Sequence, residues 1–365
     1  MSRLVARLLL GRGIGPQQAA GYLRAALADL PDPFLLPDMD KAVERLVCAL
    51  QAGEKIAVHG DYDVDGISGT ALLVEGLRAL GAKEVCWHIP LRLRDGYGLS
   101  AEALREAAAA GVSVVVSVDC GVSAQAESGL AKELGLDLII TDHHQPPERL
   151  PQAFALVNPQ CDPQCEIFST LAGVGVGFFL LVALRKRLRE LGWFEGRREP
   201  DLRHQLDLVA LGTIADLVPL QGVNRVLSRA GLALLDAGSR VGIRALKQVA
   251  GVGRVNAGVV GYQLAPRLNA AGRLEGAGQG VDLLLEQDLL QAMTTARHLD
   301  QCNRERRELE DQTFRLAEQA LSDLNPELTH SIVLAVAGWH QGVIGIVASR
   351  LVERYHRPTV LIALD

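Results

Sequence analysis

Between residues 55 and 141, short runs of β-branched residues alternate with stretches of helical period. The predicted elements are, in order, strand Lys55–His59, helix Ile67–Leu80, strand Val85–Ile89, helix Ala101–Ala110, strand Val112–Val118, helix Ala124–Leu134 and strand Leu136–Thr141. Strands that alternate with helices of this length are typical of parallel sheets, because each helix carries the chain back to the edge where the previous strand began. We therefore expect an α/β fold with a doubly wound parallel sheet.

The flanking sequence predicts mostly helices. Residues 1–50 indicate a helical lead-in that is broken at Pro31-Asp32-Pro33, and Ser169 to Ala250 indicates further helices around the sheet. From Val281 to Leu324 the helical period continues without glycine or proline, which favours one long connector helix.

A second α/β unit is predicted after Asn325-Pro326. Its elements are strand Ser331–Ala337, helix Gly342–Tyr355 and strand Pro358–Leu364. One such unit cannot bury its own faces, so we expect this domain to be incomplete. The predicted domains are a lead-in at 1–50, a catalytic α/β domain with helical insertions at 51–280, a connector helix at 281–325 and the start of a substrate domain at 326–365.

Carboxylates and imidazoles gather where the predicted strands end. His59 closes the first strand, Asp119 follows the third, and Asp142-His143-His144 follow the fourth. Because ligands bind beyond the carboxyl ends of parallel strands, these side chains are expected to converge at one edge of the sheet. The turn after the first strand adds three more carboxylates, those of Asp61, Asp63 and Asp65.

This mixture of hard carboxylates and imidazoles suits Mn²⁺ or Mg²⁺ better than a metal that prefers thiolates. Two such ions a few ångströms apart hydrolyse phosphate esters by clamping both oxygens of an in-line displacement. Each cluster alone has an ordinary interpretation as a turn or a helix cap, and Asp216 alone carries no weight. A calcium loop is disfavoured because position 72, where a ligating glutamate would stand, is leucine.

Composition excludes few functions. The formal charge of −6 gives no global basic field, but an aspartate-rich metal site contributes to that balance, so a DNA substrate stays open. Cys161-x3-Cys165 lacks a second pair at zinc-finger spacing, which disfavours structural zinc. The apolar stretch Leu171 to Leu184 is too short for the ~20 residues of a spanning helix. With no signal-peptide pattern, we expect a cytoplasmic protein. A P-loop enzyme is disfavoured because the chain has no Gly-Lys pair.

Eight motifs together resemble the DHH phosphoesterase superfamily and, within it, the RecJ-type single-strand-specific DNA exonucleases. They are His59-Gly-Asp-Tyr-Asp-Val-Asp-Gly66, Ile89-Pro-Leu-Arg92 with Gly96-Tyr-Gly98, Val118-Asp-Cys-Gly121, Thr141-Asp-His-His144, Leu171-Ala-Gly-Val-Gly-Val176, Ala215-Asp-Leu-Val-Pro219, Pro266-Arg-Leu-Asn-Ala-Ala-Gly-Arg273 and Gly338-Trp-His-Gln-Gly-Val-Ile-Gly345. They span nearly the whole chain in family order.

The resemblance implies two divalent metal ions, Mn²⁺ or Mg²⁺. One would be held by His59, Asp63 and Asp119, and the other by Asp65, Asp119, His143 and Asp216. Asp119 would bridge the two. His144 would contact the scissile phosphate, and Asp61 would orient His59 or a water from behind the ligands.

The resemblance also implies residues that bind the substrate, namely Arg92, Arg267, Asn269, Arg273, His340 and Gly342. The implied activity is removal of nucleotides from the 5′ end of single-stranded DNA in repair and recombination, with single-strand-binding protein and a helicase as partners and no membrane association. The family's substrate domain continues past the last strand into a phosphate-gripping segment and a barrel, so we expect a C-terminally truncated chain with impaired activity. Two alternatives stay open, a phosphodiesterase for short RNA or cyclic dinucleotides and a non-catalytic replication scaffold of the same fold.

Overall fold

The computed structural model describes residues 1–91, 96, 98–274, 276, 278–321 and 330–364, without the side chains of residues 273 and 274. The N-terminal helices are α1 Arg3–Leu10, α2 Pro16–Arg24 and α3 Met39–Ala52. Helix α3 buries Ala42, Val43 and Leu46 in the main core of the protein. This part of the predicted lead-in therefore packs directly against the α/β domain.

A five-stranded parallel sheet forms the centre of the protein. Its strands are β1 Lys55–Gly60, β2 Val85–His88, β3 Val112–Val118, β4 Asp137–Thr141 and β5 Ala155–Val157. The connecting helices are α4 Val64–Leu80, α5 Ala101–Ala109 and α6 Gln125–Glu133. The strand order is β2-β1-β3-β4-β5, and all neighbouring strands are parallel. The prediction of a doubly wound parallel sheet is confirmed, although β5, at three residues, was too short to show a period.

Further helices follow the sheet strands in the chain, and of these α7 packs against β3 and β4. They are α7 Gly173–Glu190, α8 Leu206–Ala215, α9 Gly222–Ala237, α10 Val241–Val249, α11 Ala257–Val259 with a π-helical continuation Val260–Leu264, α12 Ala265–Leu274, α13 Gly278–Leu285 and α14 Leu289–Leu321. Helices α4, α7 and α8 contact one another. No helix in the described part of the chain is both long and apolar enough to cross a membrane.

Alternate residues of each strand divide between two cores. Val58 and Val116 belong to the larger core, under α4, α7 and α8. Val115 and Ile140 belong to the smaller core, under α5 and α6. Because both faces of the sheet are covered, its strands are nearly continuous apolar runs, as expected for a parallel sheet.

The prediction of one continuous connector helix from residue 281 is wrong, because two helices, α13 and α14, cover this part of the chain. The chain breaks between α13 and α14, where the Glu286 side chain accepts hydrogen bonds from the backbone N–H groups of Gln287 and Asp288. Asp288 then caps α14 by accepting a hydrogen bond from the N–H of Gln291, at 2.9 Å. Acidic side chains that accept hydrogen bonds from nearby N–H groups can end one helix and start another, and neither glycine nor proline is needed.

The second unit packs on the C-terminal part of α14. It comprises β6 Ile332–Ala337, α15 Gln341–Tyr355 and β7 Thr359–Leu364, with β6 and β7 parallel. Phe314 of α14, Trp339 and Leu351 share a small core there. The predicted βαβ elements are present, while the domain boundaries stay predictions.

A buried ion network links three helices of the larger core. Arg240 donates to both carboxylate oxygens of Asp207 on α8, at 2.7 and 3.2 Å, and to Glu75 on α4, at 2.8 Å. It also donates to the carbonyl oxygen of Leu284 on α13. The side chains of Arg240 and Asp207 are only 7% and 5% exposed, so either partner alone would be a buried, uncompensated charge.

Arg240→Ala is therefore expected to lower the free energy of unfolding by about 3–5 kcal/mol. Arg187→Ala is the control, since Arg187 and its partner Glu44 are 37% and 54% exposed, and exposed pairs contribute less than about 1 kcal/mol. Urea denaturation followed by circular dichroism measures both. Equal losses in the two variants would contradict a special role for the buried network.

Candidate metal centre

The candidate site lies where the order of the strands reverses. The chain leaves β1 toward β2 on one side, while β3 lies on the other, so the loops after β1 and β3 separate and leave a crevice. The turn after β1 carries Asp61, Asp63 and Asp65, and the end of β3 carries Asp119. The convergence predicted from the strand ends is what the structure shows.

Asp63 has two tasks in this turn. Its Oδ1 caps α4 by accepting hydrogen bonds from the N–H groups of Asp65 and Gly66, at 2.8 and 3.1 Å. A ligand atom of Asp63 also lies within 4.8 Å of ligand atoms of Asp61 and Asp119. The cap holds the turn in place and brings Asp65 into the first turn of α4.

Asp65 is buried and bound by the start of α7. The N–H groups of Gly173 and Val174 donate to its two oxygens, at 2.6 and 3.0 Å. The N-terminus of this 18-residue helix carries partial positive charge, so it stabilises a carboxylate in a place that water does not reach. Gly212 of α8 lies on the other side, where a Cβ would come within 2.5 Å of Asp65 Oδ1.

Asp119 takes a left-handed backbone conformation, with φ of 64°, directly after β3. Its N–H donates to the carbonyl oxygen of Thr141, which extends the pairing of β3 with β4 by one residue. Its Oδ1 lies 3.1 Å from Nε2 of His143, yet neither atom has a hydrogen bond of acceptable geometry within the described residues. Two buried ligand atoms that face one point without bonding each other suit a shared cation.

Asp142 arranges both histidines, a role that sequence reasoning did not assign to it. Its Oδ1 accepts hydrogen bonds from the backbone N–H groups of His143 and His144 and contacts Nδ1 of His144 at 2.7 Å, and its Oδ2 accepts from the N–H of Val122. With Nδ1 bound to a carboxylate, His144 presents Nε2 outward. The sequence signal was its position, directly before two histidines at a strand end.

The pKa shifts show how strongly the site favours added positive charge. Burial, and then the negative charge of Asp216 and Asp63, raises the pKa of Asp65 well above its usual value. Burial, and then the charges of Asp65, Asp63 and Asp61, does the same to the pKa of Asp119. Burial and the neighbouring Asp63 raise the pKa of Asp216 to about 6. A divalent cation would relieve both causes at once.

The histidines differ from each other. Burial, and then the charge of His144, lowers the pKa of His143 to about 4, so its imidazole is neutral at pH 7, as a metal ligand must be. The hydrogen bond to Asp142 raises the pKa of His144. Burial, the largest single cause, favours a neutral Asp142, but the hydrogen bond and charge of His144 and the backbone N–H groups together outweigh it, so the pKa of Asp142 is lowered. The two imidazoles therefore suit different roles.

The residues implied for the second metal position all lie close to His143. Nε2 of His143 lies 3.1 Å from an oxygen of Asp119, 3.7 Å from one of Asp216 and 4.0 Å from one of Asp65. Ligand atoms of Asp65, His143 and Asp216 all lie within 4.8 Å of one another, and those of Asp119, His143 and His144 form a second such group.

The implied first position differs in one member. Ligand atoms of Asp61, Asp63 and Asp119 lie within 4.8 Å of one another, whereas His59 is in no such group of the described residues. Nε2 of His59 lies 3.1 Å from the carbonyl oxygen of Gly98. The described geometry thus groups Asp61, rather than His59, with Asp63 and Asp119, while the ligand roles of both residues stay predictions.

The expected substrate-binding residues are distributed unevenly. Arg92 lies outside the described residues, as does the side chain of Arg273. Arg267 on α12 is paired with the buried Asp300 on α14, at 2.9 Å. Asn269 has a buried amide oxygen without a hydrogen bond in the described structure. His340 caps α15 by accepting a hydrogen bond from the N–H of Gly342, at 3.0 Å.

Comparisons with known proteins agree with this arrangement. The model of the DHH family, N-terminal domain, matches residues 55–213. The single-stranded-DNA-specific exonuclease RecJ of Dickeya dadantii is 44% identical over 99% of this chain, and the chain spans 63% of that relative's length. A crystal structure of exonuclease RecJ bound to manganese is 40% identical, with a TM-score of 0.80 over 92% of this chain and 82% of that one. The crystal structure of RecJ from Thermus thermophilus in complex with Mn²⁺ is 38% identical, with a TM-score of 0.82 over 98% of this chain and 50% of that one.

Gly173→Ala is expected to weaken Mn²⁺ binding about tenfold or more, because a Cβ there would lie 2.6 Å from the Asp119 side chain. Alanine keeps the N–H that binds Asp65, so the change tests the steric contact alone. Gly177→Ala in the same helix is the matched control, since its Cβ would meet nothing closer than 3.5 Å. Calorimetric titration with Mn²⁺ measures both variants, and equal affinities would contradict the close approach of α7 to Asp119.

Asp61→Asn is expected to weaken Mn²⁺ binding more than His59→Gln. The reason is that Asp61, and not His59, has a ligand atom within 4.8 Å of the ligand atoms of Asp63 and Asp119. Both substitutions keep the side chain roughly the same size and remove its ability to ligate strongly. The same titration, with the number of bound ions as a second readout, compares them. A larger loss in His59→Gln would restore the ligand set implied by the sequence.

Proposed function

The chain belongs to the DHH family, among its RecJ-type members, and from this we propose that it is a metal-dependent phosphodiesterase that hydrolyses single-stranded DNA from the 5′ end. The observation that supports this most directly is the converging set of Asp65, Asp119, His143 and Asp216 at the strand-order reversal of the sheet. The chain covers only part of its curated relatives, so the activity and substrate of the whole protein are proposals.

We propose two divalent ions, Mn²⁺ or Mg²⁺, as cofactors. Asp65, His143 and Asp216 would hold one, Asp61 and Asp63 the other, and Asp119 both. The unbonded Asp119 Oδ1 and His143 Nε2 and the oxygen-rich donor set fit such ions. When bound, they would supply Lewis-acid stabilisation of the scissile phosphate and favour ionisation of the attacking water.

The remaining residues would bind and orient the strand. His144, whose side chain is 44% exposed, would donate a hydrogen bond from Nε2 to the scissile phosphate while Asp142 holds Nδ1. Asn269, Arg273, Arg92, His340 and Gly342 would contact the DNA further from the metals, together with Arg267 if it exchanges Asp300 for a phosphate.

We also propose single-strand-binding protein and a helicase as partners, and the cytoplasm as the place where they meet a DNA substrate of this kind. The support for these partners is the family membership alone.

Asp119→Asn is expected to reduce Mn²⁺-dependent hydrolysis on the order of 10³-fold, because it removes the carboxylate that both ion positions share. The assay follows release of mononucleotides from a 5′-phosphorylated single strand. Asp236→Asn is the control, since Asp236 accepts a backbone hydrogen bond from Val255 outside this site. If Asp119→Asn keeps wild-type turnover while remaining folded, the metal assignment is wrong.

Substrate length separates the proposed activity from its alternatives. A long single strand is expected to be hydrolysed faster than a dinucleotide or a cyclic dinucleotide, and a blunt duplex hardly at all. Faster turnover of the short substrates would point to a short-oligonucleotide phosphodiesterase. Mn²⁺ binding without turnover of any substrate would favour a non-catalytic scaffold.

A further inference from the structure

A pocket of about 370 Å³ opens beside His144, away from the metal-ligating carboxylates. Its lining includes Gly98-Leu99 and the turn from Gly121 to Ala124 that leads into α6. Glu127 of α6, Asp142 and His144 also line it. The volume lies in the range of pockets that enclose small ligands, about 300–1,000 Å³.

The pocket is continuous with the candidate metal centre through one side chain. His144 lines the pocket and also belongs to the group of possible ligands with Asp119 and His143. A nucleotide whose phosphate contacts His144 would therefore have the pocket next to it.

The lining suits the uncharged part of a nucleotide. Leu99 and Val122 are apolar lining residues that are 7% and 3% exposed, so a flat ring would meet only the small part of each that reaches the pocket. At Gly98 a Cβ would meet nothing within 4 Å, so this part of the lining leaves open space for a ligand. No lysine or arginine is among the described residues of the lining, and the Glu127 carboxylate would repel a phosphate.

Glu127 has chemistry that a base edge can use. Its side chain is half-buried, and it has no hydrogen-bond or ion-pair partner among the described residues. Carboxylates in protein–DNA contacts accept hydrogen bonds from exocyclic amino groups such as N4 of cytosine. Thymine presents a carbonyl oxygen at the same position and cannot make that bond.

We propose that this pocket receives the base and sugar of the 5′-terminal nucleotide, and that Glu127 accepts a hydrogen bond from an amino group of the base. The inference rests on the proposed function, since it takes the scissile phosphate to lie at His144. It adds a nucleoside subsite to the metal centre and makes Glu127 a residue that determines preference for the terminal base.

Filling the pocket tests the first half of the proposal. Ala124→Phe places a ring inside the lining, whereas Ala126→Phe, two residues along and exposed outside the pocket, is the matched control. Ala124→Phe is expected to raise KM for a single strand about tenfold or more, with a smaller change in kcat, because ground-state binding of the terminal nucleoside is lost. Ala126→Phe is expected to behave as the wild type.

A binding readout keeps this test independent of turnover. A strand with 2-aminopurine at its 5′ end is titrated with protein in Ca²⁺ instead of Mn²⁺, and emission of the probe reports stacking. The wild type and Ala126→Phe are expected to change the emission, and Ala124→Phe is expected to lose that change. Moving the probe to an internal position is expected to abolish the difference between the variants.

Base preference tests the second half. Strands that begin with dC and dT are compared, since the two bases match in size and differ in the amino group. The wild type is expected to favour dC by at least about threefold in kcat/KM, and Glu127→Gln is expected to reduce that ratio. Equal ratios in both proteins would overturn the Glu127 contact.

The outcomes separate this inference from the proposed function. If the wild type hydrolyses no strand but the 2-aminopurine signal depends on Ala124, the nuclease proposal fails and the pocket stands. If hydrolysis is normal and Ala124→Phe matches the wild type in both KM and emission, the pocket proposal is overturned.

Discussion

Five aspartates place ligand atoms within a few ångströms of their neighbours at one edge of the sheet. Much of the structure around them offsets the repulsion between these carboxylates. Like charges in a largely buried space repel each other, and burial penalises each charge further. The protein supplies part of the compensation through backbone N–H groups, chiefly the start of α7 on Asp65 and the start of α4 on Asp63. The remainder is the electrostatic demand that a pair of divalent cations would meet.

Two helices approach the site so closely that glycine is needed at the points of contact. A Cβ on Gly173 would strike Asp119, and a Cβ on Gly212 would strike Asp65, so α7 and α8 reach the ligands at backbone distance. Farther from the site, Arg240 joins α4 to α8 through Glu75 and Asp207. The ligands on these helices are therefore fixed both at the site and at a distance from it, which is how a rigid scaffold keeps a metal geometry.

The sequence predicted the position of the site better than its details. Three strand ends carrying His59, Asp119 and Asp142 were enough to place the convergence, because the carboxyl ends of parallel strands necessarily share an edge. The grouping of Asp61, rather than His59, with Asp63 and Asp119 was not predictable, since His59 lies near the end of β1, Asp61 follows directly after that strand, and only the local turn decides which ligand atom comes closer. The pairing of Arg267 with Asp300 was hidden because the partners lie on helices 33 residues apart. Asp142 was visible as part of a motif, yet its hydrogen bonds to three N–H groups depend on how β4 ends next to the turn at Val122.

The cap at Asp63 connects the chemistry to the dynamics of the fold. One oxygen of this carboxylate holds the first turn of α4, and the same carboxylate belongs to the group of possible metal ligands with Asp61 and Asp119. A cation bound in the crevice would therefore act, through Asp63, on the start of a 17-residue helix in the middle of the core. When the site binds cations, the amide protons of Asp65 and Gly66 should exchange with solvent more slowly than when it is empty. The exchange rate at the start of this helix therefore reports how much of the site is occupied.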